Sequence, residues 1–218
     1  MFVQACNAFS ENTVLLPEGE GGVVVIDPGF SAPQEWEWFD SMLAEHSLQP
    51  TAVWLTHAHL DHVMGCHEMH KRYGLRPRLH SLDRPTYEMA HWAAERYGVA
   101  LDPLPECDTG DFEDGQRLVQ GQLELTIRHT PGHAPGHVVF IDEINARVIG
   151  GDVLFQGSIG RTDLPGADHN TLLNSIKNQL FTDALNIVKG QNNAATNYFR
   201  DKTTSNIVAA FTPSIQRS

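Results

Sequence analysis

The stretch Thr56-His57-Ala58-His59-Leu60-Asp61-His62 decides our prediction of the fold. It places three histidines and one aspartate within six residues, directly after an apolar run that is typical of a buried strand. In extended chain His57 and His59 point the same way, whereas Asp61 and His62 fall where a helical segment begins and can face a second point beside the first. A single histidine is usually a surface or core residue, but four ligand-type side chains in six residues indicate a site for zinc, iron or manganese.

Two later loops carry further ligand-type residues. Thr130-Pro131-Gly132-His133 follows a strand with alternating apolar residues, and its proline and glycine fix an unusual loop path. Gly150-Gly151-Asp152 follows another apolar strand, and its carboxylate can bridge two cations. Taken alone, His133 is equally well read as a turn residue and Asp152 as a helix or turn cap. All three loops follow strand ends, where sites are commonly assembled on a rigid scaffold.

Composition limits the classes of partner. The sequence of 218 residues has a formal net charge of −12 and no basic run, which argues against nucleic acid and anionic membranes as main partners. A bound metal can reverse the local field, so an anionic small-molecule substrate is still allowed. No stretch reaches the ~20 apolar residues of a membrane span.

The three cysteines, Cys6, Cys66 and Cys107, are odd in number, widely spaced and without a CxxC motif. That pattern favours a reducing compartment. The first residues also lack a basic segment followed by a long apolar core. We therefore expect a cytoplasmic location, and the sequence leaves the oligomeric state open.

The strands fall into two groups, with helices between and after them, which predicts a layered α/β fold with two sheets. We expect strands over 2–9, 13–16, 23–26, 78–80, 123–127, 137–141 and 147–149, and helices over 34–46, 63–73, 85–97 and 171–181. Composition changes near Phe181, because the following segment contains no His, Trp or Cys and carries a balance of +2. We expect a catalytic domain at 1–181 and a divergent helical tail at 182–218, which a gene fusion could explain.

Together the HxHxDH motif at 57–62, TPGH at 130–133 and GGD at 150–152 resemble the metallo-β-lactamase superfamily. Val25-Ile26-Asp27-Pro28-Gly29 resembles its early strand-turn element. Gly160-Arg161-Thr162-Asp163 with Asp168-His169 is similar to the small glyoxalase II-like (hydroxyacylglutathione hydrolase-like) hydrolases in particular. The resemblance covers about residues 2 to 181 and implies a four-layer αββα sandwich with metals at one edge.

The same resemblance implies the metal ligands and the chemistry. It implies a first site of His57, His59 and His133, a second site that includes Asp61 and His62, and Asp152 between them. It also implies one or two metal ions, zinc first and iron or manganese as alternatives, and hydrolysis of a small-molecule thioester by metal-bound hydroxide. Asp61 is the candidate catalytic residue, which would orient the water or move its proton. Arg161 is a candidate for binding a substrate carboxylate, and a salt bridge to Asp163 is the alternative.

The sequence departs from the glyoxalase II pattern near its end. Members of that group carry a late Gly-His-Gly-Pro motif whose histidine completes the second metal site, whereas no histidine follows His169 here. Two alternatives to a thioesterase therefore stay open. One is a persulfide dioxygenase with a single iron held by His57, His133 and Asp152, and the other is a metal-binding protein with impaired or no catalysis.

Overall fold

The computed structural model describes residues 1–155 and 157–180, and its first sheet contains the strand that leads into the histidine motif. The sheet has five strands in the order β1 (Phe2–Cys6), β2 (Glu11–Gly19), β3 (Gly22–Ile26), β4 (Gln49–Trp54) and β5 (Pro77–Arg78). β1, β2 and β3 pair antiparallel, and β3, β4 and β5 pair parallel. The parallel pairing brings the carboxyl ends of β3 and β4 to the same edge.

The second sheet is antiparallel throughout. Its order is β6 (Arg117–Gln120), β7 (Leu123–His129), β8 (Val138–Asp142) and β9 (Arg147–Ile149), and a short hairpin of β10 (Leu154–Phe155) and β11 (Ser158–Ile159) follows. We did not predict β6 from the sequence. It has only four residues, and Leu118 is its one buried side chain, so the run is too short to show a strand period.

Alternating side chains divide the core into layers. In β3, Val23 and Val25 pack in a cluster with Phe39 and Met69 of the helices on the outer face. Val24 and Ile26, which point the other way, pack in a second cluster with side chains of β7 and β8. The outer face of the second sheet packs against the last helix. The layers are therefore helix, sheet, sheet, helix, and β3 is buried on both faces, which explains its continuous apolar sequence.

Six α-helices complete the described part of the fold. They are α1 (Pro33–Glu45), α2 (Leu60–Val63), α3 (Cys66–Tyr73), α4 (Arg84–Glu88), α5 (Ala90–Tyr97) and α6 (His169–Ser175), the last followed by a wider helical turn over Ile176–Leu180. None of the helices in this part of the chain is long and apolar enough to cross a membrane. The predicted tail at 182–218 lies outside the described residues.

Two segments predicted as single helices are each divided. The first breaks between α2 and α3, where the Gly65 N–H donates to the carbonyl of Pro28 at 2.7 Å instead of continuing the helix. The second breaks at Met89, between α4 and α5, and α5 then contacts α2. The first break coincides with a contact to a distant part of the chain, which local helix periodicity does not contain.

Candidate metal centre

The histidine loop lies between the end of β4 and the start of α2, and it meets the loop between β7 and β8. The Nε2 atoms of His57 and His133 are 3.1 Å apart, and Nδ1 of His59 is 2.8 Å from Nε2 of His133. One nitrogen from each of the three rings lies within 4.8 Å of the others. His57 and His133 are buried, so the three imidazoles form a compact cluster joining the two sheets.

A second cluster lies beside the first. Ligand-type atoms of His57, His62 and Asp152 lie within 4.8 Å of one another. Nε2 of His62 is 3.5 Å from Oδ1 of Asp152 and 3.6 Å from Oδ2 of Asp61. The other oxygen of Asp152 is 3.6 Å from Nε2 of His133. Asp152 therefore faces both clusters, one oxygen towards each.

Hydrogen bonds on the outer side of the rings determine where the lone pairs point. The Thr56 hydroxyl donates to Oδ2 of Asp27 at 2.6 Å, so its oxygen accepts from Nδ1–H of His57 at 3.1 Å. Nδ1–H of His133 donates to the carbonyl of Arg161 at 2.8 Å. Both Nε2 atoms then carry lone pairs, which face each other. That contact is repulsive unless a cation lies between the rings, so the donor set fits a metal ion.

The burial of the histidine rings agrees with this fit. Burial lowers the pKa of His59 to about 3, with His133 adding to the effect. Burial likewise places the pKa of His57 well below its usual range. Neutral imidazole is the form that binds a metal, so both rings are in the protonation state that a metal ligand needs.

His62 has the opposite environment. Burial lowers the pKa of its ring, but the carboxylates of Asp61, Asp27 and Asp152 outweigh burial and raise it above its usual range. Nδ1 of His62 is 3.1 Å from Asp27 and 3.9 Å from Glu11, both buried carboxylates. Nε2 of His62 makes no well-oriented hydrogen bond within the described residues. Positive charge is therefore favoured at this point, and either a protonated His62 or a cation bound at its Nε2 would supply it.

The two ligand loops are tied together by Asp83, whose side chain is fully buried. Its Oδ2 accepts the N–H of Ala58, between two of the clustered histidines, at 2.7 Å. Its Oδ1 accepts the N–H of Gly136, three residues after His133, also at 2.7 Å. The N–H of Asp152 in turn donates to Nε2 of the buried His137 at 3.1 Å. These bonds fix the backbone that carries the ligand-type side chains.

All six residues predicted as ligands thus lie around two adjacent points, although their role as ligands stays a prediction. They are His57, His59, Asp61, His62, His133 and Asp152. Glu11 and Asp83, which support the clusters, have no signal in the sequence. Neither lies in a recognisable motif, whereas Asp27 had a signal in the turn that follows β3.

An open pocket of about 590 Å³ leads to the clusters. His59, Asp61 and Asp152 lie at its inner end, and α5 forms much of one wall. Arg161 also lines the pocket, but its guanidinium donates two hydrogen bonds of 2.7 Å to Asp163. The geometry therefore favours the salt bridge considered for Arg161, and its binding of substrate stays a prediction.

Fold and clusters together define a metal-binding α/β sandwich, and comparison with known proteins gives its family. The profile of the metallo-beta-lactamase superfamily matches residues 7–193, so the chain belongs to that superfamily. Hydroxyacylglutathione hydrolase GloC of Haemophilus influenzae is 33% identical over 192 residues, covering 87% of this chain and 89% of GloC. The probable metallo-hydrolase YqgX of Bacillus subtilis is 34% identical over 169 residues, covering 73% of this chain and 74% of YqgX.

A solved structure supports the same assignment. The crystal structure of TTHA1623 in a di-iron-bound form superposes with a TM-score of 0.73 at 41% identity. The superposition covers 83% of this chain and 86% of that chain. The predicted metallo-β-lactamase fold is therefore confirmed, as is the resemblance to glyoxalase II-like hydrolases.

Proposed function

We propose that this protein is a metal-dependent hydrolase that cleaves thioesters of the hydroxyacylglutathione class. The observation that carries the proposal is the pair of adjacent clusters at the inner end of an open pocket, with Asp152 facing both. The similarity to GloC along most of both chains supports the choice of thioester. Nitrogen-rich clusters with carboxylates favour zinc, and the di-iron form of TTHA1623 makes iron the first alternative.

The proposed roles of the residues follow from their positions. Two metal ions would acidify a water and polarise the acyl carbonyl. His57, His59 and His133 would hold one ion, Asp61 and His62 would hold the other, and Asp152 would be shared. Asp61 also lines the pocket, where its carboxylate can orient the attacking water and accept its proton.

The proposed setting is the cytoplasm. Cys6, Cys66 and Cys107 are free thiols in the structure, which suits a reducing compartment. The proposed partner is a small thioester, since the pocket has room for a ligand of that size.

Thioester hydrolysis and metal content, measured on the same preparation, test the proposal. We expect the protein purified without added metal to contain zinc and to cleave S-D-lactoylglutathione, with free glutathione released. Asp61→Asn should lower kcat by at least ~100-fold, in the range typical of general acid–base groups. Asp102→Asn, on the exposed loop that follows α5, is the matched control and should retain full activity.

Two results would contradict the proposal in different ways. One equivalent of iron, with oxygen uptake on glutathione persulfide and no thioester cleavage, would identify a dioxygenase instead. Turnover of neither substrate by a metal-loaded protein would indicate a metal-binding protein without this catalysis.

A further inference from the structure

Large apolar side chains form one wall of the pocket that contains the clustered ligand-type residues. Seven large hydrophobic side chains are exposed among the described residues, and four of them line this one pocket. The four are Phe9, Met89, Trp92 and Tyr97. Exposed apolar side chains gathered at one opening, while the rest of the described surface has few, mark a binding surface. Tyr97 and Phe9 are in edge-to-face contact with ring centroids 5.4 Å apart, which closes the wall across the turn that follows β1.

The pocket also contains two cations with different surroundings. Arg161 is neutralised by its two hydrogen bonds to Asp163. Arg96, in the last turn of α5, has no ion pair or hydrogen bond within the described part of the chain. Its guanidinium instead lies over the ring of Trp92, 5.6 Å from the centroid and one helical turn away. The free hydrogen-bond donors of Arg96 are therefore available to a ligand at the rim of the apolar wall.

Charge around the pocket makes this cation distinctive. The protein has a formal net charge of −12, and Asp61, Asp152 and Asp163 also line the pocket. An anionic ligand approaching it meets repulsion from most of the surface. A guanidinium without a carboxylate partner, next to apolar side chains, matches a ligand with an aliphatic part and a carboxylate.

We propose that Arg96, supported by Trp92, binds a carboxylate on the part of the substrate remote from the scissile bond, while Phe9, Met89 and Tyr97 contact its apolar part. This subsite rests on the proposed thioesterase function and specifies its substrate as an anionic thioester. Arg96 determines specificity through binding and takes no part in bond cleavage.

Binding of a non-hydrolysable probe tests the subsite without turnover. Calorimetric titrations of the zinc-loaded protein would use S-hexylglutathione, which has two carboxylates and an apolar chain, and its diethyl ester, in which both carboxylates are esterified and the ammonium group is kept. Arg96→Gln should weaken binding of S-hexylglutathione about 10-fold, as expected for loss of one charge-assisted contact. Binding of the diester should be unchanged. Arg96→Lys, which keeps the charge, should recover part of the lost affinity for S-hexylglutathione. Arg117→Gln, at an exposed position of β6, should bind the probe like the unaltered protein.

Kinetics with S-D-lactoylglutathione provide a second measurement. Arg96→Gln should raise KM about 10-fold and leave kcat unchanged, because the contact is the same in ground state and transition state. The subsite would be overturned if Arg96→Gln weakened binding of S-hexylglutathione and of its diester equally, or left binding of S-hexylglutathione unchanged. It would also be overturned if the unaltered protein did not bind S-hexylglutathione. Absence of thioester turnover together with the Arg96-dependent binding would instead refute the proposed function and leave the subsite standing.

Discussion

Replacing Asp83 with alanine should destabilise the protein and weaken metal binding together, because this carboxylate joins the two loops that carry the clustered histidines. The substitution leaves the N–H groups of Ala58 and Gly136 without their acceptors, each now at 2.7 Å from Asp83. A buried unsatisfied donor costs about 1–3 kcal/mol. Burial raises the pKa of Asp83, so removing the carboxylate also relieves some desolvation. We therefore expect the free energy of unfolding to fall by about 2–4 kcal/mol.

The free energy of unfolding in urea, followed by tryptophan fluorescence, measures the first effect, and zinc competition with a chromophoric chelator measures the second. We expect zinc affinity to fall at least ~10-fold, as for other residues that orient ligands. Asp168→Ala is the matched control, since Asp168 caps α6 by accepting one N–H at 2.7 Å in an exposed position. That variant should be destabilised less than Asp83→Ala, as expected for loss of an exposed helix cap, and should bind zinc normally. An Asp83→Ala variant within about 0.5 kcal/mol of the unaltered protein, or one with normal zinc affinity, would refute the reasoning.

Three further substitutions or conditions test other parts of the structure. Asp27→Asn should weaken binding of one metal equivalent by about 10-fold or more, because Asp27 orients His62. A calorimetric titration in which two equivalents bind with unchanged affinity would contradict this. Gly132→Ala should unfold the protein or lower its melting temperature by several degrees. Gly132 has φ +130°, and an added Cβ would lie 2.2 Å from the nitrogen of Leu172. An unchanged melting temperature would contradict this prediction. Lowering the pH from 7 towards 5 should lower the melting temperature, because burial lowers the pKa of His57, His59 and His137, whereas histidines of the unfolded chain bind protons with a pKa of about 6.5. These three groups outnumber His62, whose raised pKa acts in the opposite direction. A melting temperature that rises over that interval, in a calorimetric pH series, would show the sign to be wrong.

Much of the fold was predictable because its signals are local. The apolar runs before the three ligand-bearing loops identified β4, β7 and β9, and a strand period of two needs only a few residues to be seen. The helix break at Gly65 was not predictable, since the Gly65 N–H donates to the carbonyl of Pro28 in a distant segment. The short strand β6 was also missed, because its pairing with β7 decides its conformation.

The sequence by itself determined which residues are candidate ligands, since His57, His59, Asp61 and His62 are adjacent in the chain and carry the right chemistry. A family resemblance predicted that His133 and Asp152 lie next to this motif. The tertiary structure gives the distances between them and the histidines of the motif.

Only the tertiary structure decided what surrounds the centre. Asp83 lies 25 residues from Ala58 and 53 from Gly136, and Glu11 approaches His62 from β2. Phe9 and Arg96 line one pocket although they are far apart in the chain. A buried carboxylate or a free guanidinium has no sequence signature, because burial and the absence of a partner are properties of the packed chain. The candidate ligands of the 57–62 motif can therefore be recognised from adjacent residues. The buried carboxylates around them and the proposed substrate contacts depend on the packing of distant parts of the chain.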